Sequence, residues 1–194
     1  MVELGQIALI LSFMIATYST VVGFAGGMLN GRDLAASARW GFYSICPLLL
    51  LATASLIYAF VTNDFSVIYV AENSNLAMPK AYAWVAFYSG NAGSLLYISV
   101  AFSIMAGIAI RVVNKKLPYT SPYALGVMSL VLLFFLAVIL FLANPLDRHQ
   151  MPLEDGQGMN PLLIHFGMFI HPPFQMLGLI SVALPFSLSL IHIS

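Results

Sequence analysis

The chain has 194 residues, of which 7 are basic and 7 acidic, so charged residues make up 7% and the formal net charge is zero. Soluble domains carry about 25% charged residues, whereas here hydrophobic residues reach 61% and the mean hydropathy is +0.95. These values exclude a soluble enzyme, a disordered chain and a basic nucleic-acid-binding face. They point to an all-α, polytopic transmembrane bundle with membrane lipid as its first partner.

Five apolar segments are expected to span, each near the ~20 residues that cross a ~30 Å hydrocarbon core. Their runs are unbroken, not alternating as in a barrel. The first covers Ile7 to Met28. No basic stretch precedes it and no small-residue cleavage site follows a short core, so it reads as a retained helix. The second covers Trp40 to Val61 and contains Cys46. As the sole cysteine it can form no disulfide or CxxC pair within the chain and reads as a small buried hydrophobe. The third covers Gly93 to Ile110, the fourth Tyr123 to Leu142, and the fifth starts at Pro172 and runs to the end.

The connectors set the expected orientation. Arg32 and Arg39 lie in the first, and Arg111, Lys115 and Lys116 in the third. The other two connectors hold only Lys80 and Arg148. The positive-inside rule therefore puts the first and third connectors in the cytoplasm and the N-terminus outside. Two longer, ordered loops then face outward, Thr62 to Asn91 and Ala143 to His171. Within the first, Phe65 to Val70 mixes β-branched and aromatic residues and predicts an extended piece. Met78-Pro79 predicts the start of a short amphipathic helix on the membrane surface, with Tyr82, Trp84, Phe87 and Tyr88 at the interface. The second loop is turn-rich, with Pro145, Pro152, Gly156, Gly158 and Pro161.

Three clusters carry candidate chemistry. In Gly167-Met-Phe-Ile-His171-Pro-Pro173, prolines suit a first helical turn and push the preceding residue toward extended geometry. His171 is thus expected just ahead of a membrane helix, as a metal or haem-iron ligand or simply as an interfacial cap. His165, six residues earlier, would not share a helical face with it. His149 is expected in a mobile polar loop. In Asp155-Gly-Gln-Gly-Met-Asn160-Pro-Leu-Leu163, the glycines permit tight turns and Asn160-Pro161 starts a new segment. In Ser89-Gly90-Asn-Ala-Gly93-Ser94, the glycines allow close backbone approach and Ser94 is a candidate cap of the third span.

These clusters also occur in a familiar order. Asn63-Asp-Phe-Ser-Val-Ile-Tyr-Val-Ala71, Ser74-Asn75, Pro79, Gly90-Asn-Ala-Gly-Ser-Leu-Leu96, Asn144-Pro145, Asp155-Gly156, Asn160-Pro-Leu-Leu163 and Ile170-His-Pro-Pro173 resemble the N-terminal part of the CcmF family. CcmF proteins are haem lyase subunits of cytochrome c maturation, related to CcmC and CcsA. The resemblance implies a bacterial inner-membrane protein with its functional loops on the periplasmic side. It implies haem b as the cofactor, received from a haem-delivery chaperone and attached to apocytochrome c alongside other maturation membrane subunits. His171 matches one of the two external axial ligands of the family, the second of which lies further along the family's sequence. Pro172, Pro173, Asn160, Gly93 and Ser94 are carried over as further cofactor-binding positions, and no catalytic residue is assigned.

The sequence departs from the family pattern in several places. The only tryptophans are Trp40 and Trp84, so the tryptophan-rich WWD segment is absent. Tyr88-Ser89 and Ala92 stand where the family has Trp-Gly and an acidic residue. Family members are much longer, and Ser187 to Ser194 resembles a translated sequencing adaptor. Residues 1–194 are therefore expected to be the N-terminal transmembrane part of a truncated cytochrome c assembly protein, artefactual over 188–194 and with little lyase activity alone. Two other functions remain open at this stage: haem relay without lyase chemistry, and a scaffold or transporter subunit. The near absence of charge within the spans disfavours a translocation path.

Overall fold

Glycine, alanine and serine line the inward side of the first helix, α1 (Val2–Met28): Gly5, Ala8, Ser12, Ala16, Ser19, Gly23, Gly26 and Gly27 are buried. Its outward side carries Leu4, Ile7, Leu11, Met14, Tyr18 and Val21, all exposed. Small inside and large apolar outside is the arrangement of helices packed within lipid. The small residues let neighbours approach closely. A Cβ on Gly26 would lie 2.9 Å from the Ala35 amide nitrogen, and one on Gly23 3.1 Å from that of Gly126. Residues 29–31 turn the chain back, with Asn30 at φ 52, into α2 (Arg32–Val61). The helix continues through Pro47.

This computed structural model describes residues 1–151 and 153–192. Pro152, Ile193 and Ser194 lie outside the described residues, as do the side chains of Leu188, Leu190, Ile191 and His192, so the adaptor-like tail falls largely beyond them. After α2 come α3 (Ile68–Asn73), α4 (Ala83–Ser89), α5 (Asn91–Lys116), α6 (Ser121–Phe141), α7 (His171–Ser181) and α8 (Ala183–His192). Four helices, α1, α2, α5 and α6, are long and apolar enough to cross a membrane, and Phe166–Ser187 makes a fifth such stretch. The chain is a multi-pass helical membrane protein. The fifth span is broken after Ser181, and only 11% of it is buried, against 39–44% for the others.

Several expectations need correction. α2 begins at Arg32, a full two turns before Trp40, because its polar first turns extend past the apolar stretch. The segment predicted to be extended becomes helical from Ile68; an isolated antiparallel bridge pairs Val67 with Arg148. Tertiary burial overrides β-propensity there: Val67, Tyr69, Val70 and Ala71 are buried, with Tyr69 stacked edge-on to Phe60 at 5.8 Å. The helix after Pro79 forms, but not as a surface helix. Val85, Ala86, Phe87 and Tyr88 are all buried, so α4 is a packed wedge.

The two long loops are stitched into one cap. Ile68 N–H donates to Asp147 O (2.9 Å) and His149 N–H to Ser66 O (2.8 Å). Gln157 N–H donates to Ala71 O (2.7 Å), and the Leu76 N–H to Asp155 Oδ1 (2.9 Å). A Cβ on Gly156 would run into the Ser74 carbonyl oxygen, and Gly158 has φ +85. The Asp-Gly-Gln-Gly cluster is therefore a clasp between loops, and His149 belongs to it through its backbone. At the opposite end, the 29–31 and 117–120 connectors lie together, so Arg32 and Arg39 near the start of α2 and Arg111, Lys115 and Lys116 near the end of α5 share one end of the bundle.

Candidate functional site

The cap holds the segment leading into α7 through three tyrosines. Tyr88 donates its hydroxyl to Met168 O at 2.6 Å, and Tyr97 donates to Pro173 O at 3.4 Å. Tyr82 packs edge-on against Phe169, ring centroids 5.2 Å apart. Trp84 sits behind them, 5.6 Å from the Tyr88 ring and 6.5 Å from the Tyr97 ring. Burial pushes the Tyr88 phenol up to about 12, with nearby Tyr97 adding to the rise. Tyr88 therefore stays protonated, a dependable donor, at any physiological pH.

On this mount His171 is the first residue of α7. The expected extended residue ahead of the helix is not found. The steric bias against helical geometry before proline is only a preference. Here Pro172 and Pro173 occupy first-turn positions whose N–H groups would lack helical partners anyway. Pro173 is buried and anchors the turn, while His171 is exposed. Among the described residues its imidazole makes no hydrogen bond. Phe166, Ile170 and Phe174, from the same stretch of chain, are each at least half exposed.

Gly93 and Ser94 support the mount from below. A Cβ on Gly93 would collide with the Phe87 carbonyl oxygen, so only glycine lets α5 start against the end of α4. Ser94 does not cap α5, whose preceding residue is Gly90 without a side-chain cap. It donates instead to Tyr88 O at 2.7 Å. Tyr69 is the hub of this corner. Its hydroxyl donates to Phe87 O (3.1 Å) and accepts from Gly90 N–H (3.0 Å). Burial pushes its pKa up to about 12, against the opposing pull of the Gly90 and Gly93 amides.

Asn160 stands apart. Its Oδ1 accepts from Leu162 N–H at 3.0 Å and caps the short 3-10 turn Pro161–Leu163. No hydrogen bond joins it to His171 among the described residues. His165 is not in a continuous helix with His171. It precedes a second 3-10 turn, Phe166–Phe169, and its Nδ1 accepts from Gly167 N–H at 3.0 Å.

The sequence matches known proteins over nearly its whole length. It is 36% identical over 196 residues to the cytochrome c-type biogenesis protein CcmF of Pseudomonas fluorescens, covering 97% of this chain and 29% of that protein. It is 32% identical over 195 residues to CcmF of Escherichia coli, covering 98% of this chain and 30% of that one. The chain is homologous to the CcmF cytochrome c biogenesis proteins. A solved structure of the cytochrome c haem lyase CcmF shares the fold, with a TM-score of 0.83 over 98% of this chain and 30% of that one, at 20% identity. No family model matches. The chain thus spans about 30% of the length of the curated relatives it matches.

Among its described residues, this chain has no group of three or more His, Cys, Asp or Glu side chains able to hold a metal ion. His171 can offer one bond, not a cage. A single imidazole set in apolar surface suits a flat, largely apolar macrocycle whose remaining iron positions are filled from elsewhere. Tyr97 is not evident from the sequence as part of this site. Tyr97 carried a signal: it lies three residues after Ser94 and four after Gly93, on the same face of α5.

Proposed function

We propose that this chain forms part of a haem-holding site of a CcmF-type cytochrome c maturation protein, with His171 as one axial ligand of haem b. The observation that carries this reading is the exposed His171 imidazole, which makes no hydrogen bond among the described residues, in a segment that also exposes Phe166, Ile170 and Phe174 and is held by Tyr88 and Tyr97. His171 would bind the iron, and exposed apolar residues of the same segment would cover one porphyrin face against water. Pro172 and Pro173 would limit the approach angle of the imidazole, while Gly93 and Ser94 act at one remove by placing Tyr88. Haem supplies the vinyl carbons on which the thioether bonds of a cytochrome c form. The chain's own contribution is orientation, which converts an encounter into a positioned reaction.

The same reading places the cap on the periplasmic side of a bacterial inner membrane and the basic end in the cytoplasm. It makes residues 1–194 the N-terminal transmembrane part of a cytochrome c assembly domain. Its partners are a haem-delivery chaperone, apocytochrome c and other maturation subunits. The test is a haemin titration of the purified chain in detergent. One saturable haem per chain with a shifted Soret band is expected, weakened about tenfold or more by His171→Ala. Equal affinity and an unchanged spectrum in the variant would remove His171 as a ligand.

A further inference from the structure

At the end of the bundle opposite the cap, the 29–31 and 117–120 connectors frame a cavity of about 590 Å³. Arg32 and Arg39 line it from the start of α2, together with Asn30, Asn114 and Tyr119. Arg39 is half-buried and donates to Asn114 Oδ1 at 2.6 Å, and Asn114 also accepts from Ser121 Oγ at 3.2 Å. A guanidinium has five N–H donors. Among the described residues Arg39 has this acceptor and no carboxylate. The ion pair found there, Arg148 with Glu3 at 3.4 Å, lies at the other end.

A partly buried cation with spare donors beside an open cavity is favourable only when an anion meets it. The surroundings have the same sign. Arg111 and Arg39 both lie within electrostatic reach of Tyr43, Lys115 and Lys116 follow at the end of α5, and the single acid at this end is Asp33. Exposed aromatics flank the cavity. Trp40 is 72% exposed and packs edge-on to Tyr43, and Tyr119, in the cavity wall, is 82% exposed. Exposed aromatics at a span's end mark the membrane interface. Met28 and Leu29, both 72% exposed, continue the apolar surface next to the cavity.

We propose that the cavity lined by Arg32 and Arg39 binds a phosphate-ester anion, supplied by an anionic phospholipid headgroup. Basic recesses between helices at a membrane face suit such headgroups. The bidentate geometry of arginine matches two phosphate oxygens better than a lysine would. The inference stands independently of haem.

The test uses the full chain purified in a zwitterionic detergent, with phosphatidylglycerol, phosphatidylcholine or inorganic phosphate added. Binding is read by native mass spectrometry and by the unfolding midpoint. Phosphatidylglycerol is expected to bind as a discrete adduct and raise the midpoint, and phosphatidylcholine to do neither. The double variant Arg32→Gln/Arg39→Gln should bind phosphatidylglycerol about tenfold more weakly. Lys115→Gln/Lys116→Gln, outside the cavity wall, should weaken it less than the arginine double variant does. Because Arg39→Gln also breaks the bond to Asn114, Arg32→Gln alone must itself weaken binding. Inorganic phosphate that raises the midpoint and displaces the lipid supports the same chemistry; phosphate that binds while phosphatidylglycerol does not assigns the site to a soluble ester. Equal binding of the two lipids with no effect of phosphate, or full phosphatidylglycerol affinity in the arginine variants, overturns the proposal.

Discussion

The hydroxyl of Tyr88 meets the Met168 carbonyl three residues before His171, so this hydrogen bond helps to hold the segment that carries the imidazole. Tyr88→Phe keeps the ring packing and deletes that donor. It should cost about 1 kcal/mol of stability, more if the carbonyl stays unpaired, and should weaken haemin binding while His171 itself is untouched. Unfolding curves and the titration on the same sample check both effects. The hydroxyls of Tyr69 and Tyr88 also predict a pH dependence. Both phenols have folded-state pKa values raised from 10.0 to about 12. Their contribution to stability is complete below pH 10 and is lost as pH rises through the 10–12 window, because the unfolded chain releases those protons first. An unfolding midpoint that falls over this window in wild type, and less steeply in Tyr69→Phe/Tyr88→Phe, is the expected outcome. His171 was legible in the sequence because proline marks a helix start. The tyrosines that steady it were not, since which carbonyl a hydroxyl reaches depends on two loops meeting.

Glycines show where helices need to touch and where they do not. Gly93 lets α5 begin against the Phe87 carbonyl, whereas Gly178 on α7 has nothing within 4 Å of where a Cβ would be. Gly93→Ala should destabilise by about 2 kcal/mol through forced separation of α4 and α5. Gly178→Ala should be neutral or stabilise by up to about 1 kcal/mol through helix propensity. Paired unfolding measurements distinguish them, and equal effects would refute the close-packed corner. The long spans were readable because 18 or more apolar residues have few alternatives to a membrane helix. α3 was misjudged because six residues carry too little local preference to decide a conformation. Burial of Tyr69, Val70 and Ala71 under the second loop decides it. α4 is a helix as its sequence predicts, but its aromatics look interfacial there while Phe87 and Tyr88 are buried, because which face packs depends on tertiary contacts.

At the scale of the molecule, the bundle has two chemically different ends. One is a stitched cap that presents His171, and the other is a basic recess around Arg32 and Arg39. The charge asymmetry predicts that the cap faces outward. In a Cys46→Ser background, a membrane-impermeant maleimide added to intact cells should label Leu153→Cys in the cap. It should label Tyr119→Cys at the basic end only after the membrane is opened; the reverse pattern would invert the topology. Both positions are exposed. The two ends were visible in the sequence as basic and turn-rich connectors, but their internal geometry was not. It depends on contacts such as Leu76 with Asp155, 79 positions apart. The most direct test of the haem reading is chemical rescue. His171→Gly should lose the shifted Soret band of the haem-loaded chain and regain it when free imidazole is added. A Soret band that stays unchanged in His171→Gly without imidazole would contradict ligation by His171.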